Sequence, residues 1–329
     1  MNILKKSLRT YSMIALGSHF ALIGPGQKPQ KKHVEEPSQK VQPSQPVETP
    51  AYPFFAEVSV AFENFRGLPD GSWQGNTGAY TSLNFGFSRP SLSKHGYGMQ
   101  LAGSFGLYEW QGRGALFSHI SEIQQQGFIT AGLFRNVPQR SGINFNLVVD
   151  WMFNDNFGVF SLNPNFGQLR AALAYLFGGS NELGLWGTYG VSTSHHTTDG
   201  IPVEFRAISQ INLFWRHYFF NGAQAMVWAG VPYRKGLMFE SGPAGTFIAG
   251  VDFKVPLTRR WSIDGHAAYM GPRSSPGEFQ SRRYASDIAI ALTYSFGSTK
   301  VEKGKKDSFG PYFPMANNSN FLTDTNLNF

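Results

Sequence analysis

Two groups of residues in this chain have side chains capable of chemistry. The first is the polar run Ser192-Thr193-Ser194-His195-His196-Thr197-Thr198-Asp199. Ser192 and Ser194 could supply a nucleophile, His195 a base and Asp199 a carboxylate, the parts of a rim hydrolase. Their spacing fixes no nucleophile–base geometry, and adjacent histidines on a strand point apart, so the run reads as a polar outer loop rather than a metal or catalytic centre. The second group is larger: Glu57, Asp150, Arg170, Glu204, Arg206, Arg216, Asp252, Lys254, Asp264, His266 and Asp287. Their neighbours alternate with them in a period of two, so all eleven fall on one face of their strands. Two readings follow: mutually paired side chains filling a narrow barrel, or a polar pore admitting small solutes. His217 and His266 read as structural histidines, and no cofactor or metal is expected.

The elements that carry these residues are strands. In Ile288-Ala289-Ile290-Ala291-Leu292-Thr293-Tyr294-Ser295-Phe296 a large apolar side chain falls on every second residue. Successive strand residues point to opposite faces, giving one greasy face and one small or polar face. The pattern recurs about twelve times: 54–62, 79–87, 97–108, 127–135, 143–153, 168–177, 182–191, 204–219, 223–231, 247–255, 261–270 and 284–296. Connections after even strands are short (88–96, 136–142, 178–181, 220–222, 256–260). Those after odd strands are longer (63–78, 109–126, 154–167, 192–203, 232–246, 271–283). Short turns at one end and long loops at the other predict a closed antiparallel transmembrane β-barrel of about twelve strands. Leu101, Phe105 and Leu107 then face lipid and Gln100, Ala102 and Ser104 the lumen. Phe145, Leu147, Val149 and Trp151 likewise oppose Asn144, Asn146 and Asp150. Aromatic residues near strand ends (Trp110, Trp151, Tyr175, Trp261, Tyr269, Tyr294) suit interfacial girdles.

Composition agrees. The 329 residues include no Cys, 37 Gly, 15% aromatic and only 15% charged residues, against roughly 25% charged in soluble domains. Mean hydropathy is −0.24, and no apolar run reaches the roughly 18 residues of a helical span. The net charge of +7 concentrates in the flanks 28–40 and 300–306, with no basic aromatic face for nucleic acid. Residues 1–26, with Lys5, Lys6 and Arg9 before a moderately apolar stretch, read as a signal peptide. The Pro/Gln/Lys-rich stretch 27–53 reads as a disordered linker. Residues 54–296 form the barrel, and 297–329 a periplasmic tail. In that tail Pro311-Tyr312-Phe313-Pro314-Met315 is too apolar for a spacer and is expected to dock on the barrel's inner mouth.

Several stretches resemble a family of uncharacterised outer-membrane-type barrels, a domain of unknown function. They are Ala131-Gly132-Leu133-Phe134-Arg135, Asp150-Trp151, Gly167-Gln168-Leu169-Arg170, Leu185-Trp186-Gly187-Thr188-Tyr189, Phe214-Trp215-Arg216-His217, Trp228-Ala229-Gly230, Asp252-Phe253-Lys254-Val255-Pro256-Leu257 and Pro314-Met315-Ala316-Asn317-Asn318-Ser319. The resemblance covers about 54–324 and implies a barrel with a non-random tail, but no reaction or ligand. The expected protein is therefore an integral outer-membrane barrel and not an enzyme, either a porin-like small-solute channel or a structural envelope protein. The alternatives are a membrane-embedded hydrolase and a surface-adhesion barrel. Its expected partners are membrane lipids, small polar solutes if the lumen conducts, and the barrel-assembly machinery through the Tyr294/Phe296 end.

Overall fold

The computed structural model describes residues 53–67, 75–114, 121–137, 141–238, 242–274, 282–296 and 309–326. The expected signal peptide, nearly all of the linker and the basic start of the tail (297–308) lie outside the described residues, as do parts of several long loops. Strands dominate the rest: β1 (Phe54–Arg66), β2 (Asn76–Phe87), β3 (Tyr97–Gly114), β4 (Ser121–Arg135), β5 (Gly142–Asp155), β6 (Asn165–Phe177), β7 (Asn181–Gly190), β8 (Thr193–Thr198), β9 (Ile201–Ala207), β10 (Gln210–Tyr218), β11 (Gln224–Pro232), β12 (Ile248–Pro256), β13 (Trp261–Ser274), β14 (Arg282–Phe296) and β15 (Thr323–Thr325). A one-turn helix, α1 (Pro90–Ser93), sits in the β2–β3 connection.

Twelve of these strands close into an antiparallel barrel in the order β1 to β7, β10 to β14 and back to β1. The seam is a long ladder running from Ala56↔Phe296 to Arg66↔Ser286. Closure leaves no barrel edge with unpaired backbone groups, the condition for a sheet surrounded by hydrocarbon. Side chains alternate as expected. In β5, Asn144, Asn146, Val148, Asp150 and Met152 are buried inside while Ile143, Leu147 and Val149 are exposed outside. The exposed set forms an apolar outer belt, with Leu173 and Ile290 each more than half exposed. Several glycines lie where two strands approach closely: a methyl on Gly230 would stand 1.9 Å from the Ile211 carbonyl oxygen.

One expected strand is two. The run 204–219 breaks at Ile208-Ser209, and only Gln210–Tyr218 belongs to the wall. The preceding β9 pairs with β8 in a hairpin at the long-loop end, and β15 from the tail adds a third strand, Thr323↔Ala207 to Thr325↔Phe205. The physical reason is a change of burial parity. In β9 the odd residues Val203, Phe205 and Ala207 are buried, whereas in β10 Gln210, Asn212 and Phe214 are buried and Ile211, Leu213 and Trp215 face out. Greasy odd positions run through both strands, but those of β9 are buried whereas those of β10 lie on the outer face. Glu204 and Arg206, expected on the lumen wall, are thereby corrected to the hairpin.

Candidate functional site

The lumen holds the tail. Residues 309–326 run through it from the short-turn end to the long-loop end, well beyond the mouth where docking is expected from sequence. At the short-turn end Asn136 donates to the Gly310 carbonyl at 3.1 Å, and the Phe309 ring stacks 5.5 Å from Phe134. Deeper in, the Phe313 ring lies 5.6 Å from Phe214 and 6.0 Å from Trp186, which itself meets Trp228 edge-on at 5.0 Å. Further along, Thr130 accepts from the Ala316 N–H at 2.9 Å and Asn318 donates to Gln126 at 2.7 Å. Phe321 then inserts between Phe128 and Phe166, 5.6 Å from each. At the long-loop end Asp324 accepts from the Leu237 N–H at 2.8 Å, and Asn326 accepts from the Glu204 N–H at 2.9 Å.

Charged side chains of the wall hold this segment by its backbone. Asp150, wholly buried, accepts from Arg170 Nε at 2.8 Å and Nη2 at 3.1 Å, from Thr130 at 2.8 Å and from Gln168 at 2.9 Å. Arg170 Nη1 then donates to the Pro314 carbonyl at 2.8 Å. A buried ion pair is tolerated only when its remaining polar atoms are also satisfied, and here the tail supplies an acceptor. Arg216 repeats the device, pairing with Glu182 at 3.2 Å and donating to the Tyr312 carbonyl at 3.3 Å. Its guanidinium also lies 5.3 Å from the centre of the Phe313 ring, within cation–π range. Tyr312 donates its hydroxyl to Glu182 at 3.3 Å.

The other inward residues form smaller groups. Lys254 bridges Glu57 at 2.6 Å and Asp264 at 3.5 Å, and Asp252 accepts from the Trp228 indole at 2.9 Å. His266 lies between Asp287, 3.0 Å away, and Glu63, 3.6 Å away. A cavity of about 340 Å³ remains at the short-turn end, lined among others by Glu57, Asp252, Lys254, Asp264 and His266 and floored by tail residues up to Asn317.

On the hairpin, Glu204 meets His195 at 3.1 Å and Arg206 meets Asp324 at 3.4 Å. Burial pushes the Asp324 carboxyl up to about 6, against the opposing pull of the Leu237 N–H and Arg206. The polar run gives one close Ser–His contact, Ser194 Oγ to His196 Nε2 at 3.0 Å. Burial, and the neighbouring His195, lower the His196 imidazole, keeping it neutral near pH 7. Ser192 and Ser194 accept from the Gly167 and Asn165 N–H groups. Among the described residues no carboxylate completes a triad with Ser194 and His196, and Asp199 sits at the hairpin turn with positive φ.

Sequence reasoning missed Glu63, Glu182 and Asp324. Glu63 continues the inward series from Glu57 through Ala61, but the alternation was cut one residue before it. Glu182 stands at an inward position opening β7, four residues before Trp186. Asp324 carries no periodic signal, since a three-residue strand shows none.

Residues 54–323 match the model of a family of unknown function (DUF6666). No curated protein matches the chain. Solved structures similar in architecture include a chain from a study of in-meso crystallization of membrane proteins (11% identity, TM-score 0.45, covering 82% of this chain and 99% of that one). Two others are outer membrane phospholipase A from Escherichia coli (11%, 0.39, 72% and 92%) and a FadL homologue from Pseudomonas aeruginosa (9%, 0.35, 74% and 90%). At these values the likeness is one of barrel architecture and no more.

Proposed function

The chain belongs to this family of unknown function, and we propose that it is an integral outer-membrane barrel kept closed by its own C-terminal segment, serving the envelope as a structural element. One observation carries the reading: residues 309–326 occupy the lumen along its length, anchored at Phe313 and Phe321 and tied to the wall by Arg170 and Arg216. Membrane seating is supported by the apolar outer belt set against charge kept inside. Water reaches the cavity at the short-turn end, but the tail and the β8–β9–β15 sheet stand between that cavity and the other mouth. A porin-like role would require the tail to leave. Fractionation tests the membrane half of the reading. The folded protein should sediment with outer membranes, need detergent for release, and migrate differently boiled and unboiled. Recovery of folded protein in the soluble fraction would refute it.

A further inference from the structure

Beside the tail, three side chains converge that the lumen's packing leaves incompletely satisfied. Glu63 on β1, Asp287 on β14 and His266 on β13 are all buried, with one ligating atom from each within 4.8 Å of the others. Register explains the convergence: Glu63 pairs with Ala289 and Ala289 with His266, so the two long side chains lean over an alanine methyl. Asp287 is the next inward residue along β14.

The hydrogen bonding around the cluster is one-sided. Glu63 Oε2 accepts from Tyr108 and from Asn318 at 3.2 Å, which orients the carboxylate. Glu63 Oε1, His266 Nε2 and both Asp287 oxygens make no well-aligned hydrogen bond; their close contacts are with one another, His266 Nε2 lying 3.0 and 3.6 Å from the two carboxylates. Buried polar atoms left in this state are costly, and buried charges more so. The permanent cations Arg170, Arg216 and Lys254 are held by Asp150, Glu182 and Glu57, respectively. Two carboxylates thus face one imidazole, so with both ionised even a protonated His266 leaves one negative charge over, a deficit that a shared proton or a bound cation must fill.

From this geometry we infer that Glu63, His266 and Asp287 bind a single divalent transition-metal ion of the Zn²⁺/Mn²⁺ class. Ligand bonds of about 2.1 Å place neighbouring donor atoms about 3.0–3.4 Å apart in tetrahedral or octahedral arrangements, close to the separations from His266. One imidazole with two carboxylates is a donor set for such ions, whereas Ca²⁺ takes six to eight oxygens. Three protein donors leave a position for water. His266 borders the cavity that opens at the short-turn end, which supplies the entry route. The second layer is present too: Tyr108 and Asn318 hold Glu63, and the Asn317 amide lies 3.5 Å from His266 Nδ1, the kind of outer partner that fixes ligand orientation. Because β1 and β14 form the closing seam, the ion would tie that seam together from inside.

The full chain, folded in detergent and dialysed against metal-free buffer, is titrated with Zn²⁺ alone and its bound metal measured by mass spectrometry. The expected result is about one equivalent, falling below one-tenth in His266→Gln and Asp287→Asn proteins whose gel shift on boiling shows an intact barrel. Asp264→Asn, and His195→Ala with His196→Ala, should retain the full equivalent. If His266→Gln folds and still holds one equivalent, the assignment is wrong. Should the cluster variants fail to fold, Co²⁺ added to the unaltered protein decides. Visible ligand-field bands that vanish on adding Zn²⁺ support the site, and their absence with less than one-tenth of an equivalent of Zn²⁺ overturns it.

Discussion

Replacing Phe313 with Ala should loosen the tail from the lumen by an amount the packing sets. The ring is almost fully buried among Trp186, Phe214 and Tyr312, with the Arg216 guanidinium over its face. Truncating a buried Phe costs about 3–5 kcal/mol. The lower figure applies here, because the adjoining 340 Å³ cavity lets water enter the space vacated. At 1.4 kcal/mol per tenfold, about 3 kcal/mol multiplies the undocked population by about 150. The chain has no Cys, so a single Ser319→Cys, at a buried tail position, reports undocking through its reaction with a thiol reagent. When docking is fast relative to labelling, the rate follows the open population, and Phe313→Ala should raise it about 150-fold. Phe220→Ala, on an exposed turn, should leave it unchanged. A rate within threefold of the parent would show that Phe313 does not anchor the tail.

Three further outcomes follow from the same contacts. Arg170→Met leaves Asp150 buried with a charge unpaired and should lower unfolding stability in guanidinium by about 3–5 kcal/mol, most of it recovered when Asp150→Leu is added. Asp324 has a carboxyl pKa of about 6 when docked against an ordinary 3.8, so the docked state binds its proton more tightly. The far end of the tail is then held best below about pH 4 and loses about 3 kcal/mol of docking as pH rises through about 6. Intrinsic-rate-corrected hydrogen exchange at Thr323–Thr325 should quicken from pH 4.5 to 7.5, and Asp324→Asn should flatten that dependence. Ile290→Arg places a charge on the outer belt and should cost about 2–4 kcal/mol in a bilayer; no loss of stability in lipid vesicles would count against membrane seating.

Strand number and facing were legible because alternation and loop length are local signals repeated around the wall. Val203 to Trp215 shows where such signals stop: an apolar residue at every second position reads alike whether it lies on the barrel's outer face, as Ile211 does, or against the lumen contents, as Phe205 does. The aromatics Trp186 and Phe214 occupy inward positions, but their partner Phe313 lies about a hundred residues or more away in the tail, a pairing no periodicity encodes. Glu63 escapes for a smaller reason: the strand read from sequence ends at Phe62, one residue before it, whereas β1 runs on to Arg66. The ion pairs likewise join strands that only register brings together, as Glu182 on β7 meets Arg216 on β10.

Closure by the tail is tested most directly by recording current across planar bilayers for the full chain and for one ending at residue 308, each verified as a folded barrel. The full chain should be silent and the shortened one should conduct steadily. Equal steady conductance from both would mean that the segment does not seal the lumen.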